Sequence, residues 1–344
     1  MKLSVLDLVP VRTDQTTGDA LRASVSLAGV ADELGYTRYW LAEHHNMPAV
    51  AATSPPLLIA MVAAATRRIR VGSGGVMLPN HAPFVVAEQF ALLEAAHPGR
   101  IDLGIGRAPG SDQVTRYVLR NGATDEEVVG RFPEYVDQVG TLMSREGAGV
   151  TVAGRTFGMH ATPHATSRPP IWLLGSSDYS ARVAAERGLP YVFAHHFSGQ
   201  GTAEALELYR STFRPSAALT EPQTFLTVNA VVAETAEEAR RLALPNLRSM
   251  IRLRTGGALT AQETVDESLA AGLAPEHESL GEAMLSRWVV DSPAAAADRL
   301  SELASTYDVD EVMVHPVAGA LAGTPSDQSP SREQTLRLLA DQLL

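Results

Sequence analysis

Residues Ile69–Gly106 read IRVGSGGVMLPNHAPFVVAEQFALLEAAHPGRIDLGIG, and their order decides the fold. Ile69 to Leu78 predicts a strand, Pro83 to Ala96 a helix, and Arg100 to Gly106 the next strand. A strand, a crossover helix and a second strand make the repeating unit of a parallel sheet. Reading outward, the same alternation recurs in both directions. Strands are expected at Leu3 to Val9 and Arg38 to His44 before it. After it they are expected at Ile171 to Gly175, Tyr191 to His196, Phe225 to Ala233 and Glu311 to His315. Helices are expected at Asp19 to Leu34, stopped by Gly35, and at Pro55 to Thr66, Glu126 to Ser144, and Tyr179 to Arg187, closed by Gly188. Further helices are expected at Ala203 to Phe213, from Glu237 to Leu244, at Pro293 to Tyr307 and at Arg332 to Leu344.

Eight strands, each followed by a helix and with no break in composition, predict one (β/α)8 TIM barrel over residues 1–344. An open doubly wound sheet is the alternative. Two insertions stand out, Arg107 to Asp125 and Pro245 to Val290. Loops this long in a compact barrel act as lids or binding loops.

Composition narrows the class. Of 344 residues, 45% are hydrophobic, enough for a large core, and the net charge of -11 argues against nucleic-acid or anionic-membrane partners. The absence of cysteine removes disulfides, thiolate nucleophiles and Cys-ligated zinc, and fits a reducing cytoplasm. The most apolar stretch, Ala49 to Ala65, is broken by Thr53, Ser54, Pro55 and Pro56 and is too short to span a bilayer.

In a barrel of this kind, polar residues at strand C-termini are candidates for chemistry. They cluster at Glu43-His44-His45-Asn46, Gly104-Ile105-Gly106-Arg107, Gly175-Ser176-Ser177 and His195-His196, with Asp7 late in the first strand and Asn229 in the seventh. Two histidine pairs raise the question of a metal. Neighbours on a strand point to opposite faces, so each pair offers about one inward ligand, and only Asp7 and Glu43 could add carboxylates. Arg107 follows Gly-Ile-Gly, where backbone can approach a ligand and a guanidinium suits phosphate. A solvated or ion-paired arginine is the plainer reading. Gly175-Ser176-Ser177 runs straight into a helix start, a ready anion site. Simple capping by Ser177 or Asp178 fits equally well. Together these elements suggest a phosphorylated cofactor between strands four and five. Gly72-Ser73-Gly74-Gly75-Val76 marks either a bulge or the close approach of a flat ligand.

These strings carry a resemblance. Tyr39-Trp40-Leu41-Ala42-Glu43-His44-His45, Val71 to Pro79, Gly99 to Arg107, and Ile171 to Ser177 through Phe193 to Phe197 are similar to the luciferase-like monooxygenases. The likeness resumes at Glu311 to Pro316. It implies an enzyme that takes reduced FMN from a separate flavin reductase and lets it react with O2 at C4a. A peroxyflavin would then oxidise a small organic substrate such as an aldehyde, ketone or aromatic compound. It also implies His44 as catalytic acid or base, Glu43 orienting either His44 or the flavin ring, and a non-prolyl cis peptide at Gly74-Gly75 against that ring. Arg107, Gly175, Ser176 and Ser177 would lie on the phosphate, with His195 near the flavin and Asp7 among the cofactor contacts. Luminescence is not expected, since the reactive cysteine of luciferase has no counterpart. The Pro55 to Thr66 helix is apolar almost all round, which suggests a homodimer interface or cover by a loop of the same chain. A deazaflavin (F420)-dependent hydride-transfer enzyme, a flavin-binding protein without turnover and a metal-dependent hydrolase are the rival readings.

Overall fold

The computed structural model describes residues 1–107 and 112–344. The chain opens with β1 (Lys2–Asp7), α1 (Thr17–Leu34), β2 (Arg38–Leu41), α2 (Pro55–Ala65), β3 (Arg70–Ser73), β4 (Val76–Met77), α3 (Pro83–Ala96) and β5 (Ile101–Gly106). Then come α4 (Gln113–Leu119), α5 (Asp125–Val129), α6 (Phe132–Leu142), the hairpin β6 (Ala148–Val152) and β7 (Arg155–Met159), β8 (Ile171–Gly175), α7 (Asp178–Arg187) and β9 (Tyr191–Phe193). Past these lie α8 (His195–Ser198), α9 (Thr202–Thr212), β10 (Thr224–Val232), α10 (Ala236–Thr255), α11 (Val265–Ala271), α12 (Pro275–Leu285), β11 (Val289–Asp291), α13 (Pro293–Thr306), β12 (Glu311–Pro316) and α14 (Pro330–Leu343).

The strands pair in the order β12-β1-β2-β3-β5-β8-β9-β10, and β10 pairs back onto β12, so a parallel barrel closes, with β11 added outside β10. The expected barrel is therefore present and the open sheet is not. Four local expectations change. The third strand is two pieces, with Gly74 and Gly75 between them. The helix expected over Glu126 to Ser144 is broken between α5 and α6. The sixth strand ends at Phe193, and the histidines that follow form a helical turn. The helix starting near Glu237 does not stop at Pro245 but runs on to Thr255. Of the first expected insertion, residues 108–111 lie outside the described residues; the second is α10 to α12 and β11.

Strand alternation sorts each strand's side chains into two sets. Leu3, Val5, Leu226, Val228, Val312 and Val314 join the large core between sheet and helices. The opposite set fills the barrel in layers. Its middle is apolar: Leu6, Trp40, Trp172, Val192, Phe225 and Met313 form one buried cluster. Trp40 sits edge-on to Trp172 and Phe225, with centroids 5.7 and 5.2 Å away. Each fully buried large side chain contributes about 1.5–3 kcal/mol.

Below that layer, at the strand N-termini, lies a closed ion network. The Arg38 guanidinium donates to Asp102 Oδ2 (2.9 Å) and to Glu311 (2.6 and 3.1 Å). Ser4 and Trp40 Nε1 donate to the same two carboxylates, and Arg70 adds to Asp102. The Arg38 guanidinium also stacks over Trp172 at 4.8 Å. Among the described residues, this network fills the N-terminal end of the barrel with paired charge.

Candidate active site

At the open end, β2 gives way to Ala42 and Glu43. The Glu43 carboxylate is buried. Its Oε1 is shared by His45 Nε2 (2.8 Å) and His81 Nε2 (2.7 Å), and its Oε2 accepts the Met77 N–H (2.9 Å). Burial alone would raise its pKa, but the hydrogen bonds from His45, His81 and Met77 outweigh burial and hold it at about 2. Glu43 thus ties the β2 loop to the segment after β4. Beside it, the His44 amide donates to Ala52 O at 2.7 Å, while its ring Nδ1 is buried with no hydrogen-bond partner. Burial pulls His44 below its ordinary pKa, with the Glu43 charge opposing. Across from it the Gly74–Gly75 bond is cis. A side chain at Gly75 would come within 2.7 Å of Gly104 O, so only a bare backbone fits there.

A second group assembles where β5 and β8 pair, with Gly106 opposite Leu174. Gly175 ends β8, and a Cβ on it would lie 2.3 Å from Ser180 Oγ. Ser177 is the N-cap of α7 in extended conformation, yet its side chain makes no capping bond. The first N–H groups of α7 are therefore not satisfied by it. Asp178, which would repel an anion, is exposed and pairs with Arg182 at 3.5 Å. Arg107 follows β5 directly, and its guanidinium carbon lies 4.0 Å from the centre of the Tyr179 ring in the first turn of α7. An arginine, a helix start and an uncommitted hydroxyl thus meet at one edge of the mouth.

The third group is a set of neutral imidazoles. On α8, His196 Nδ1 bonds Thr227 Oγ1 at 2.8 Å. At the end of β12, His315 Nδ1 bonds Asn229 Oδ1 at 2.9 Å, and the two rings are 6.1 Å apart, edge to face. Burial, then the nearby His44 and His195, lower His196 to about 4. Burial, with His196, Arg332 and His44 adding, holds His315 well below its ordinary value. Among the described residues, no group of three or more His, Asp or Glu side chains is placed to hold a metal ion. No helix among them is long and apolar enough to cross a membrane.

The luciferase-like monooxygenase profile matches residues 1–309. The chain belongs to that family. A luciferase-like monooxygenase of Escherichia coli (strain K12) is 38% identical over 312 residues, 91% of this chain and 90% of its own. The N-acetyl-S-alkylcysteine monooxygenase of Bacillus subtilis (strain 168) is 31% identical over 348 residues, covering 100% of this chain and 98% of its own. The crystal structure of apo-MsnO8 superposes with a TM-score of 0.86 at 32% identity, over 99% of this chain and 98% of that one. Two more distant structures share the fold alone. One is a type II Baeyer–Villiger monooxygenase of Pseudomonas putida in complex with FMN (TM-score 0.76, 20% identity, covering 100% and 97%). The other is an F420-dependent secondary alcohol dehydrogenase (TM-score 0.66, 12% identity, covering 98% and 98%).

Within this luciferase-like chain, His44, Gly74 and Gly75 gather at the mouth, and Arg107, Gly175, Ser176 and Ser177 at the β5–β8 edge. Three expectations are corrected. Asp7 does not line the mouth. It has the parity of Leu3 and Val5, faces the helices, and accepts hydrogen bonds from Ser24, Tyr39, Arg332 and the Val9 N–H. Glu43 was expected to orient His44 or the flavin ring; it does not bond His44, and its hydrogen bonds go to His45, His81 and Met77. His195 points outward. Its Nδ1 bonds Thr202 Oγ1 at 2.8 Å and its ring meets Tyr307 edge-on at 5.5 Å. His196 takes the inward place, because the chain turns helical after Ala194. Sequence reading missed His315. The available signal was a polar side chain ending the last barrel strand.

Proposed function

We propose that this chain is a flavin-dependent monooxygenase that uses reduced FMN and O2 to oxidise a small organic molecule. One observation carries the proposal: Arg107 stacked on Tyr179 at the start of α7, beside the free hydroxyl of Ser177. A guanidinium fork and a helix N-terminus together suit a phosphate dianion. Arg107, Gly175, Ser176 and Ser177 would hold the FMN phosphate, and the bare backbone of Gly74 and Gly75 would admit the flat ring. When bound, reduced flavin supplies the electrons and the oxygen-activating chemistry.

The remaining work falls to the chain itself. The depressed pKa of His44 keeps its ring neutral near pH 7, and its unpartnered Nδ1 is free to take or return a proton at the mouth. The apolar middle layer of the barrel keeps the inner side of the mouth free of water. FMN would come as a diffusing partner, supplied in reduced form by a separate reductase. On α2, Leu57 is 65% and Met61 48% exposed. We assign that apolar face to a second copy of the chain, and light scattering should return a dimer mass.

The test is oxygen uptake by the purified chain with FMN and a reductase, across a panel of aldehydes, ketones, aromatics and N-acetyl-S-alkylcysteines. The last class is included because of the relative's name. Uptake coupled to formation of an oxygenated product supports the proposal. Substrate oxidation with a reduced deazaflavin product and no oxygen uptake would move the chain to hydride transfer.

A further inference from the structure

Between the barrel mouth and α10 lies a pocket that the phosphate and proton chemistry above does not use. Leu8, Met47, Val50, Met250 and Leu253 line it, and His315 is set into its wall. The cavity holds about 80 Å³ and opens to solvent. That is room for a small molecule, with walls that are largely hydrocarbon.

The hydrogen bonds around His315 fix which of its nitrogens carries the proton and which is left unengaged. The His196 backbone carbonyl can only accept, and the Asn229 side-chain amide donates to it at 2.9 Å. The amide's NH2 group is thereby oriented, and its Oδ1 is left toward His315 Nδ1 at 2.9 Å. A carbonyl oxygen cannot donate, so the proton of the neutral ring sits on Nδ1. Nε2 then carries a lone pair and no proton. Thr227 acts on His196 in the same way. Its hydroxyl gives its one proton to Phe193 O at 3.1 Å, so it can only accept from His196 Nδ1 at 2.8 Å.

We propose that His315, set by Asn229, is a specificity-determining residue. Its Nε2 would accept a hydrogen bond from an N–H or O–H group on an otherwise apolar substrate seated between the mouth and α10. The word substrate rests on the monooxygenase reading; recognition of the donor does not. His315 is a recognition residue, and Asn229 positions it. A molecule that lacks the donor would bury Nε2 unpaired, which makes the pocket selective.

Two measurements on flavin-free protein test this, and so keep it apart from the FMN reading. In ¹⁵N-histidine-labelled protein near pH 7, the ring signals absent from His315→Gln should show a protonated Nδ1 and an unprotonated Nε2. The pattern should be lost in Asn229→Leu. An Nε2–H tautomer in the wild type overturns the proposal at its base. Indole and N-methylindole, an N–H donor and its blocked counterpart, are then titrated by calorimetry. Indole should bind about tenfold more tightly to the wild type, and His315→Phe should erase the difference. Equal affinities, or no binding of indole at millimolar concentration, overturn it. Retention of the native fold by His315→Phe is checked by circular dichroism, and Asn229→Leu serves as the second variant.

Discussion

The two ends of the barrel are built from the same strands and treat polarity in opposite ways. At the floor, Arg38 is matched by Asp102 and Glu311, and Ser4, Trp40 and Arg70 complete the set. At the mouth, His44 Nδ1 has no partner, His196 and His315 are held neutral, and Ser177 heads a helix without capping it. Fully paired buried charge belongs to the scaffold. Polar atoms left open at one end of the same tube are the place where a ligand can complete the pairing. The difference makes unequal demands on substitutions at the two ends.

The largest contrast should come from His44. Replacing it by Ala should cost roughly 10²–10⁴-fold in coupled substrate oxidation, the usual range for a positioned acid or base. Stability should change by less than about 1 kcal/mol, because the ring Nδ1 gives up no hydrogen bond. Steady-state kinetics and urea unfolding on one preparation would measure both. A large loss of stability would place His44 with the scaffold.

Arg38→Met should behave in reverse. It leaves Asp102 and Glu311 buried without their shared cation, a loss of about 3–5 kcal/mol in unfolding free energy. Flavin affinity in the fraction that stays folded should hold. Chemical denaturation with flavin titration would show this, and a stable variant with lost flavin binding would break the contrast.

A smaller effect is expected with pH. His196 has a folded pKa of about 4, below the ordinary value of 6.5. Between those values the unfolded chain binds more protons, so stability should be complete above about pH 6.5 and decline as pH falls toward 4. His196→Gln should flatten that decline in urea unfolding measured over the same window. An unchanged slope would mean that His196 titrates normally. Glu43, lowered from 4.5 to about 2, begins to lose its contribution below pH 4.5, mostly under this window.

Legibility in the sequence followed the same division. The closed barrel could be read because alternating strands and helices are a repeated signal, and β8 and α3 have the bounds expected from their Gly and Pro punctuation. The local geometry was read where a motif names it, as at the cis Gly74-Gly75 bond. It was misread where the decision depended on parity. Asp7 lies on a strand buried on both sides, so nothing local says which set faces inward. The His195–His196 assignment failed because a helical turn replaces the strand, and the period-2 argument no longer applies. The β6–β7 hairpin was missed although Val150, Thr151 and Val152 precede a turn at Ala153-Gly154, both with positive φ. The helix over Glu237 to Leu244 was expected to end before Pro245. Instead it lies buried in α10 against Gly319, where a Cβ would come within 2.5 Å of its ring, so tertiary packing overrides the local signal.

The central claim is that the β5–β8 edge of the mouth grips a flavin phosphate. Its most direct test is the dissociation constant of reduced FMN, measured anaerobically for the wild type and for Arg107→Ala. The account predicts tight binding to the wild type and at least a tenfold loss in the variant, about 1.4 kcal/mol. Riboflavin, which lacks the phosphate, should bind both proteins equally weakly. Equal affinity of the two proteins for reduced FMN, or wild-type binding of riboflavin as tight as that of FMN, would contradict it.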